Sequence, residues 1–168
     1  MDESFLKGVT LFAEFEPAEL QALLRGGLQS TRYAAGDAIL DEGKANRALH
    51  ILKSGRIRVS RYVNDREVAL CDLEAGQTFG ELSIIEDGVA SASLRAVAET
   101  EVLSIAMHDL ARFLREMPSA GSKFWRAVAV DLRRRLIQTN DVVRSYFEVN
   151  RALVENPTFR QAYAMCNR

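Results

Sequence analysis

The chain has few of the residues that build metal centres and disulfide frameworks. Its 168 residues include two cysteines, Cys71 and Cys166, and two histidines, and none of them belongs to a CxxC motif or a Cys/His cluster. A zinc site, an iron–sulfur cluster and a disulfide framework are therefore not indicated. Cys71 lies among apolar residues, a pattern that predicts a small buried side chain rather than a redox site.

The sequence also lacks an excess of charge and a long apolar run. Its 22 Lys/Arg and 23 Asp/Glu residues leave a formal net charge of −1, which argues against a dedicated nucleic-acid-binding protein. No apolar run is long enough to span a bilayer, and the N-terminus lacks the apolar core of a signal peptide. We therefore expect a cytoplasmic protein with no membrane partner.

Catalytic patterns are missing as well. The sequence shows no set of nucleophile, base and acid, no metal motif and no Walker-type loop. Since these patterns carry most enzymatic chemistry that can be read from a sequence, an enzyme is not expected.

The spacing of apolar residues changes twice along the chain. It is helical before about residue 28, alternates in short segments separated by turns such as Ser54-Gly55, and is helical again from Met107. Many short strands at this spacing predict an antiparallel β jelly-roll barrel (a double-stranded β-helix) with flanking helices. We divide the chain into residues 1–118, a β-roll with N-terminal helices and a short hinge helix; 119–156, a long dimerisation helix; and 157–168, a short C-terminal tail.

The predicted long helix contains no proline and one glycine, Gly121. Seam residues recur along it at alternating four- and three-residue steps: Trp125, Ala129, Leu132, Leu136, Thr139, Val143, Tyr146 and Asn150. This heptad spacing is typical of a coiled-coil contact and predicts a parallel homodimer. The stripe is widened by Phe124, Val128, Ile137 and Phe147, which are expected to face the helix's own barrel. The alternative is a single helix that packs only on that barrel.

The most specific pattern runs from Phe79 through the return segment to Ala96. Its Gly80-Glu81-Leu82 turn follows an alternating apolar run, and small residues lead back to a strand. Together with Tyr33–Asp37 and Leu49–Gly55, it resembles the cyclic nucleotide-binding domain family, as in the effector domain of catabolite activator protein and the regulatory subunits of protein kinase A. The resemblance covers about residues 5 to 148 and stops short of a DNA-binding domain.

The resemblance implies a nucleotide pocket, with cAMP as the ligand and no metal. It implies that Glu81 accepts the ribose 2′-hydroxyl, that the Gly80 backbone approaches the ligand, and that Leu82 adds a backbone donor. The implied ligand-binding residues are Phe79, Gly80, Glu81, Leu82, Ser83, Ala90, Ser91, Ala92, Thr139 and Asn140. The alternative for Glu81 is a solvated turn residue, and for the small residues it is tight packing in a strand.

The arginine that pairs with the phosphate in this family is replaced by Ala90. Arg95 lies beyond the segment, and strand alternation predicts that it points to solvent. A charge-assisted hydrogen bond to phosphate is worth about 1.5–3 kcal/mol. Its loss therefore predicts binding weakened by roughly one to two decades.

Thr139 and Asn140 match positions on the dimer helix of this family that contact the adenine amino group, one from each subunit. The alternative for Thr139 is a polar seam residue that fixes the register of the two helices.

These patterns predict a homodimeric cAMP sensor that passes its signal to an unidentified protein. One alternative is a degenerate scaffold that dimerises and binds proteins without a nucleotide. Another is the effector half of a transcription regulator, in which a helix-turn-helix domain follows the long helix. The 12 residues from Pro157 to Arg168 are too few for such a domain, so direct nucleic-acid binding is not expected.

Overall fold

The computed structural model describes residues 3–64, 66–81, 88–158 and 160. The helical elements are α1 (Glu3–Gly8), a 3-10 helix (Thr10–Phe12), α2 (Pro17–Arg25), α3 (Met107–Glu116) and α4 (Pro118–Glu155). The strands are β1 (Gln29–Tyr33), β2 (Ala38–Leu40), β3 (Ala48–Ser54), β4 (Arg56–Val63), β5 (Arg66–Glu74), β6 (Thr78–Phe79), β7 (Ser93–Ala96) and β8 (Thr100–Ala106). Across these ranges, no helix combines the length and the apolar character needed to cross a membrane. Most of the tail after Pro157 lies outside them.

The strands form two antiparallel sheets of four strands each. Their orders are β1-β8-β3-β6 and β2-β7-β4-β5, so most hydrogen-bonded neighbours are far apart in sequence. Short strands that alternate between two facing sheets are characteristic of a jelly roll. The predicted antiparallel β jelly-roll barrel with flanking helices is confirmed.

An apolar cluster between the sheets holds them face to face. Its buried members are Leu52, Ile57, Phe79, Ala92, Leu94 and Val102. They come from strands of both sheets and from the residue that precedes β7, so both sheets contribute to one core. Phe79 belongs to this core and also leads into the turn that carries Gly80 and Glu81. The start of the candidate site is thus fixed by the packing of the barrel.

Strand β5 is the edge of its sheet and has β4 as its neighbour. Every residue of β5 except Leu73 is exposed, and Cys71 is an exposed free cysteine. The prediction that Cys71 is a small buried side chain is therefore wrong. The apolar residues around it in sequence belong to a strand that the barrel core does not cover.

Aromatic side chains join the N-terminal helices to α3 and to the first turns of α4. The ring centroids of Phe12 and Phe124 lie 6.2 Å apart, and those of Phe15 and Phe113 lie 6.1 Å apart. Phe12, Phe15 and Phe124 are fully buried. This contact makes the beginning of α4 part of the compact unit Met1–Val128.

An ion pair joins α2 to α4 within this unit. Lys123 Nζ donates to Glu19 Oε2 at 2.8 Å, and only 7% of the Glu19 side chain is exposed. Burial alone would raise the pKa of Glu19, but hydrogen bonds from Lys123, the Glu16 backbone and Ser119 outweigh it and lower the pKa. Glu19 is therefore charged at neutral pH, and its charge is matched by Lys123.

The second compact unit, Ala129–Arg168, contains the rest of α4. Large apolar side chains are exposed along it, among them Leu136 (62%), Val143 (47%) and Tyr146 (66%). Phe124 and Val128 are buried within the first unit, whereas Ile137 and Phe147 of the second unit are 43% and 67% exposed. The latter two extend the exposed apolar stripe.

We expect the Lys123→Ala protein to lose about 1–3 kcal/mol of unfolding free energy at pH 7, because a buried carboxylate is left without its cation. The contribution of Glu19 is present above its ordinary pKa and is lost as the pH falls through the lowered value, so the deficit should shrink in acid. Urea unfolding at pH 7 and pH 3 measures both effects.

Arg126→Ala is the matched control. Arg126 lies on the same helix as Lys123 and pairs with Glu14, but 68% and 57% of these two side chains are exposed, so its loss should cost less than about 1 kcal/mol. Equal losses of unfolding free energy in the two variants would show that the buried ion pair of Glu19 stabilises the fold no more than an exposed one does.

Candidate functional site

The candidate site starts where β6 ends. This strand has only two residues, Thr78 and Phe79, which pair with Ile51 and His50 of β3. Glu81 follows two positions later and is only 3% exposed. The alternative reading of Glu81 as a solvated turn residue is therefore wrong, because the turn carries its side chain inward. Leu82 and Ser83 lie outside the described residues, and their roles stay predictions.

Gly80 lies against the start of β3. Its φ of +81° is in the region that favours glycine. A methyl group on Gly80 would lie 2.5 Å from Asn46 Nδ2 and 2.8 Å from the Ala48 carbonyl oxygen. The glycine is thus required by a contact within the protein. The predicted approach of its backbone to a ligand stays a prediction.

The residues that lead back into β7 (88–92, called here the returning limb) are hydrogen-bonded to the segment before β3. The Gly43 N–H donates to the Ala90 carbonyl oxygen at 2.8 Å, and the Ala90 N–H donates to the Lys44 carbonyl oxygen at 2.7 Å. Asn46 adds a third bond, from its backbone N–H to the Gly88 carbonyl oxygen at 2.8 Å. These bonds fix the backbone on both sides of the Ala90 side chain.

Ser91 and Ala92 supply backbone donors at the entry to β7. Ala92 is 7% exposed, whereas Ser91 is exposed. In the part of the chain that the structure describes, no acceptor is paired with the backbone N–H of either residue. Ala92 is buried, and because buried N–H groups are nearly always hydrogen-bonded, its N–H is suited to an anionic oxygen, with the exposed Ser91 N–H beside it.

The site has no arginine at Ala90, which is 8% exposed. Arg95 is exposed, with its guanidinium 3.9 Å from Asp41, so the prediction that it points to solvent is confirmed. Between Gly88 and Ala96, Arg95 is the only residue with a basic side chain. The limb therefore offers backbone dipoles rather than a cation to a phosphate.

Thr139 and Asn140 lie in the second unit and are both exposed. The Thr139 hydroxyl donates to the Arg135 carbonyl oxygen at 2.9 Å, a bond within the helix. Their contact with an adenine stays a prediction.

The structure reveals two buried polar residues that the sequence analysis did not assign to the site. Asn46 is 5% exposed, and His50 is partly buried with its ring stacked on Phe79 at a centroid distance of 4.8 Å. Neither residue carries a sequence signal that would have assigned it to the site, because Asn46 lies in a loop and His50 is a single polar residue in a strand. Within the described residues, no group of three His, Cys, Asp or Glu side chains is arranged to hold a metal.

His50 is hydrogen-bonded through both ring nitrogens. Asn46 Nδ2 donates to the Ala48 carbonyl oxygen at 3.0 Å, which leaves Asn46 Oδ1 to accept from His50 Nε2 at 3.0 Å. The Ser104 hydroxyl then donates to His50 Nδ1 at 2.7 Å. Burial lowers the pKa of His50 to about 4, so the ring is neutral at physiological pH.

A separate polar cavity of about 320 Å³ is lined by Arg32, Ser54, Gly55, Glu99, Thr100 and Glu101. It shares no residue with the predicted site. Its acidic lining is poorly suited to a phosphate, so we do not assign the nucleotide to it.

The chain is similar to known nucleotide-responsive regulators. Residues 30–117 match the model of the cyclic nucleotide-binding domain. The cyclic AMP receptor protein of Thermus thermophilus is 30% identical over 161 residues, which make up 95% of this chain and 69% of that protein. A cAMP-dependent protein kinase regulatory subunit of Emericella nidulans is 30% identical over 114 residues, but the match spans only 27% of its length.

A solved structure gives the same result. The N-terminal domain of a transcriptional regulator from Streptomyces coelicolor superposes with a TM-score of 0.68 at 30% identity, over 83% of this chain and 94% of that one. The described barrel therefore has the architecture of such regulatory domains.

We expect the unfolding free energy to fall by about 2 kcal/mol between pH 7 and pH 5 through His50 alone. The unfolded chain protonates this residue near its ordinary pKa of 6.5, whereas the folded chain does so near 4. The unfolded state thus holds the extra proton in between, and stability declines as the pH falls through this window.

Urea unfolding at pH 5, 6 and 7 measures this slope. His50→Gln should flatten it. A His50→Gln protein with the wild-type slope would contradict the assignment.

Proposed function

This chain belongs to the cyclic nucleotide-binding domain family, and from that premise we propose that it is a homodimeric regulatory module with cAMP as its ligand. The carrying observation is the burial of Glu81, at 3% exposure, inside the matched segment. Burying a carboxylate costs free energy unless hydrogen-bond donors replace the water that it loses. The ribose 2′-hydroxyl of a cyclic nucleotide is a donor of the required kind.

The phosphate is proposed to bind the backbone N–H groups of Ser91 and Ala92. Both groups are free of acceptors within the described residues, and the limb is held in place through Ala90. Backbone dipoles fixed in this way bind anions without a counter-charge. The residues present therefore fit a cyclic nucleotide, although with less affinity than an arginine would give.

The choice of cAMP rests on the relatives and on α4. The Thermus relative is named a cyclic AMP receptor protein and the fungal one a cAMP-dependent kinase subunit. Thr139 and Asn140 are the proposed adenine contacts. Since the chain spans about a quarter of the kinase subunit, that protein's partners are not carried over.

The proposed dimer contact lies on the part of α4 that belongs to the second compact unit. Leu136, Val143 and Tyr146 are exposed there, and they lie on one seam of the heptad pattern. A stripe of this size and period on a helix is buried by a partner helix in water. A second copy of the chain presents the same seam and satisfies it symmetrically.

A second candidate is the effector domain of a transcription regulator. It is favoured by the match to the Streptomyces domain, which belongs to such a regulator and is covered over 94% of its length. Both candidates use the same nucleotide site and differ in what receives the signal.

Calorimetric titration with cAMP and cGMP tests the ligand. We expect saturable binding of cAMP by the wild-type protein and roughly 10- to 100-fold tighter binding by Ala90→Arg, because the new guanidinium forms a charge-assisted bond to the phosphate. Val89→Arg is the control, since it adds the same charge at a neighbouring position that is 61% exposed. Absence of cAMP binding in both the wild-type and Ala90→Arg proteins would favour the scaffold.

Sedimentation equilibrium tests the dimer. Leu136→Asp should shift the protein to monomer, because a carboxylate on the seam faces its own copy across the interface. Gln138→Asp adds the same charge two positions away, off the seam, and should stay dimeric. A monomeric wild-type protein at high micromolar concentration would exclude the proposed interface.

A further inference from the structure

Asn46 contacts the candidate site at two points of the chain, Gly80 and Gly88. Gly80 packs against the Asn46 amide, where an added methyl group would lie 2.5 Å from Nδ2. The Gly88 carbonyl oxygen accepts the Asn46 backbone N–H at 2.8 Å. Asn46 thus fixes the spacing between the outgoing and the returning chain.

Asn46 is itself oriented by its surroundings. Its side chain spans Ala48, donating from Nδ2 to the carbonyl oxygen at 3.0 Å and accepting the N–H at Oδ1 at 3.3 Å. His50 Nε2 adds a third bond at 3.0 Å. Rotation of the amide would break all three, so His50 helps to select one orientation of Asn46.

His50 also touches the residue that leads into the turn. Its ring is nearly parallel to Phe79, with an interplanar angle of 13°, and its other nitrogen is held by Ser104 of β8. Phe79 and Gly80, the two residues before Glu81, therefore lie against His50 and Asn46, respectively. A buried hydrogen-bonded support of this kind limits the movement of the group that it carries.

We infer that Asn46, oriented by His50, is a positioning residue that sets the Glu81 carboxylate for recognition of the ribose hydroxyl. This inference rests on the proposed role of Glu81. A shift of the Gly80 backbone would weaken the bond to the 2′-hydroxyl more than the contacts of the phosphate, because the returning limb has its own bonds to Gly43 and Lys44. The ratio of affinities for cAMP and 2′-deoxy-cAMP isolates this effect.

Two substitutions at His50 separate its two hydrogen bonds. The amide of glutamine reaches the position of the histidine Nε2 and retains a donor toward Asn46, whereas the amide of asparagine reaches only the position of Nδ1, toward Ser104. Both remove the ring and its stacking on Phe79. A difference between them therefore reports the bond to Asn46.

The experiment is calorimetric titration of the wild-type, His50→Gln and His50→Asn proteins with both nucleotides at pH 7.5. Wild type should prefer cAMP by roughly 10- to 100-fold, His50→Gln should keep most of this preference, and His50→Asn should reduce it to within about threefold. The melting temperatures without ligand check that the two variants are folded alike.

Each outcome has one meaning. A wild-type protein that binds both nucleotides equally removes the proposed role of Glu81 and the inference with it. A wild type that discriminates, with His50→Asn discriminating equally well, overturns the positioning role alone. If His50→Asn does not fold, Asn46→Asp makes the same test, since it keeps the shape of the side chain and loses the donor toward Ala48. Retained preference in that variant overturns the inference.

Discussion

The pairing of β3 with its two neighbours is the constraint on which the rest of the domain depends. β3 joins β8 along most of its length and β6 at His50 and Ile51, while Leu49, Ile51 and Leu52 are fully buried. His50 lies on the same face of β3 as Leu52, and its ring contacts Ser104 and Phe79. One strand thus contributes both to the apolar core and to the polar support of the site, and a slip of its register would displace both.

Much of this arrangement was readable from the sequence, for a physical reason. Alternating apolar residues separated by glycine turns determine strands, and the heptad spacing after Pro118 determines a long helix, because both patterns reflect burial at a fixed period. The jelly-roll sheets and the presence of the long helix α4 followed from such patterns and from the family resemblance. The exposure of Cys71, Ile137 and Phe147 did not follow, because local sequence does not show which apolar strand or helix face lacks a covering layer.

The support of the site was also hidden from the sequence. Asn46 precedes β3 and is separated from Gly80 by more than thirty positions, and their contact depends on β3–β6 pairing. An asparagine in a loop normally indicates a turn, and a histidine in a strand indicates nothing in particular. Only the folded chain shows that the two side chains share a hydrogen bond beneath the turn that carries Glu81.

The loss of the family's arginine at Ala90 is a matter of binding rather than of folding. The backbone N–H and carbonyl oxygen of Ala90 are both hydrogen-bonded, to Lys44 and from Gly43, so the limb is held whatever side chain stands there. The alanine is 8% exposed and adds a small apolar contact. Selection at this position can therefore tune affinity for an anion without changing the barrel. Under the proposed function, a site with backbone donors alone suits a ligand present at higher concentration, and recognition would depend more on the proposed ribose contact at Glu81 than on charge.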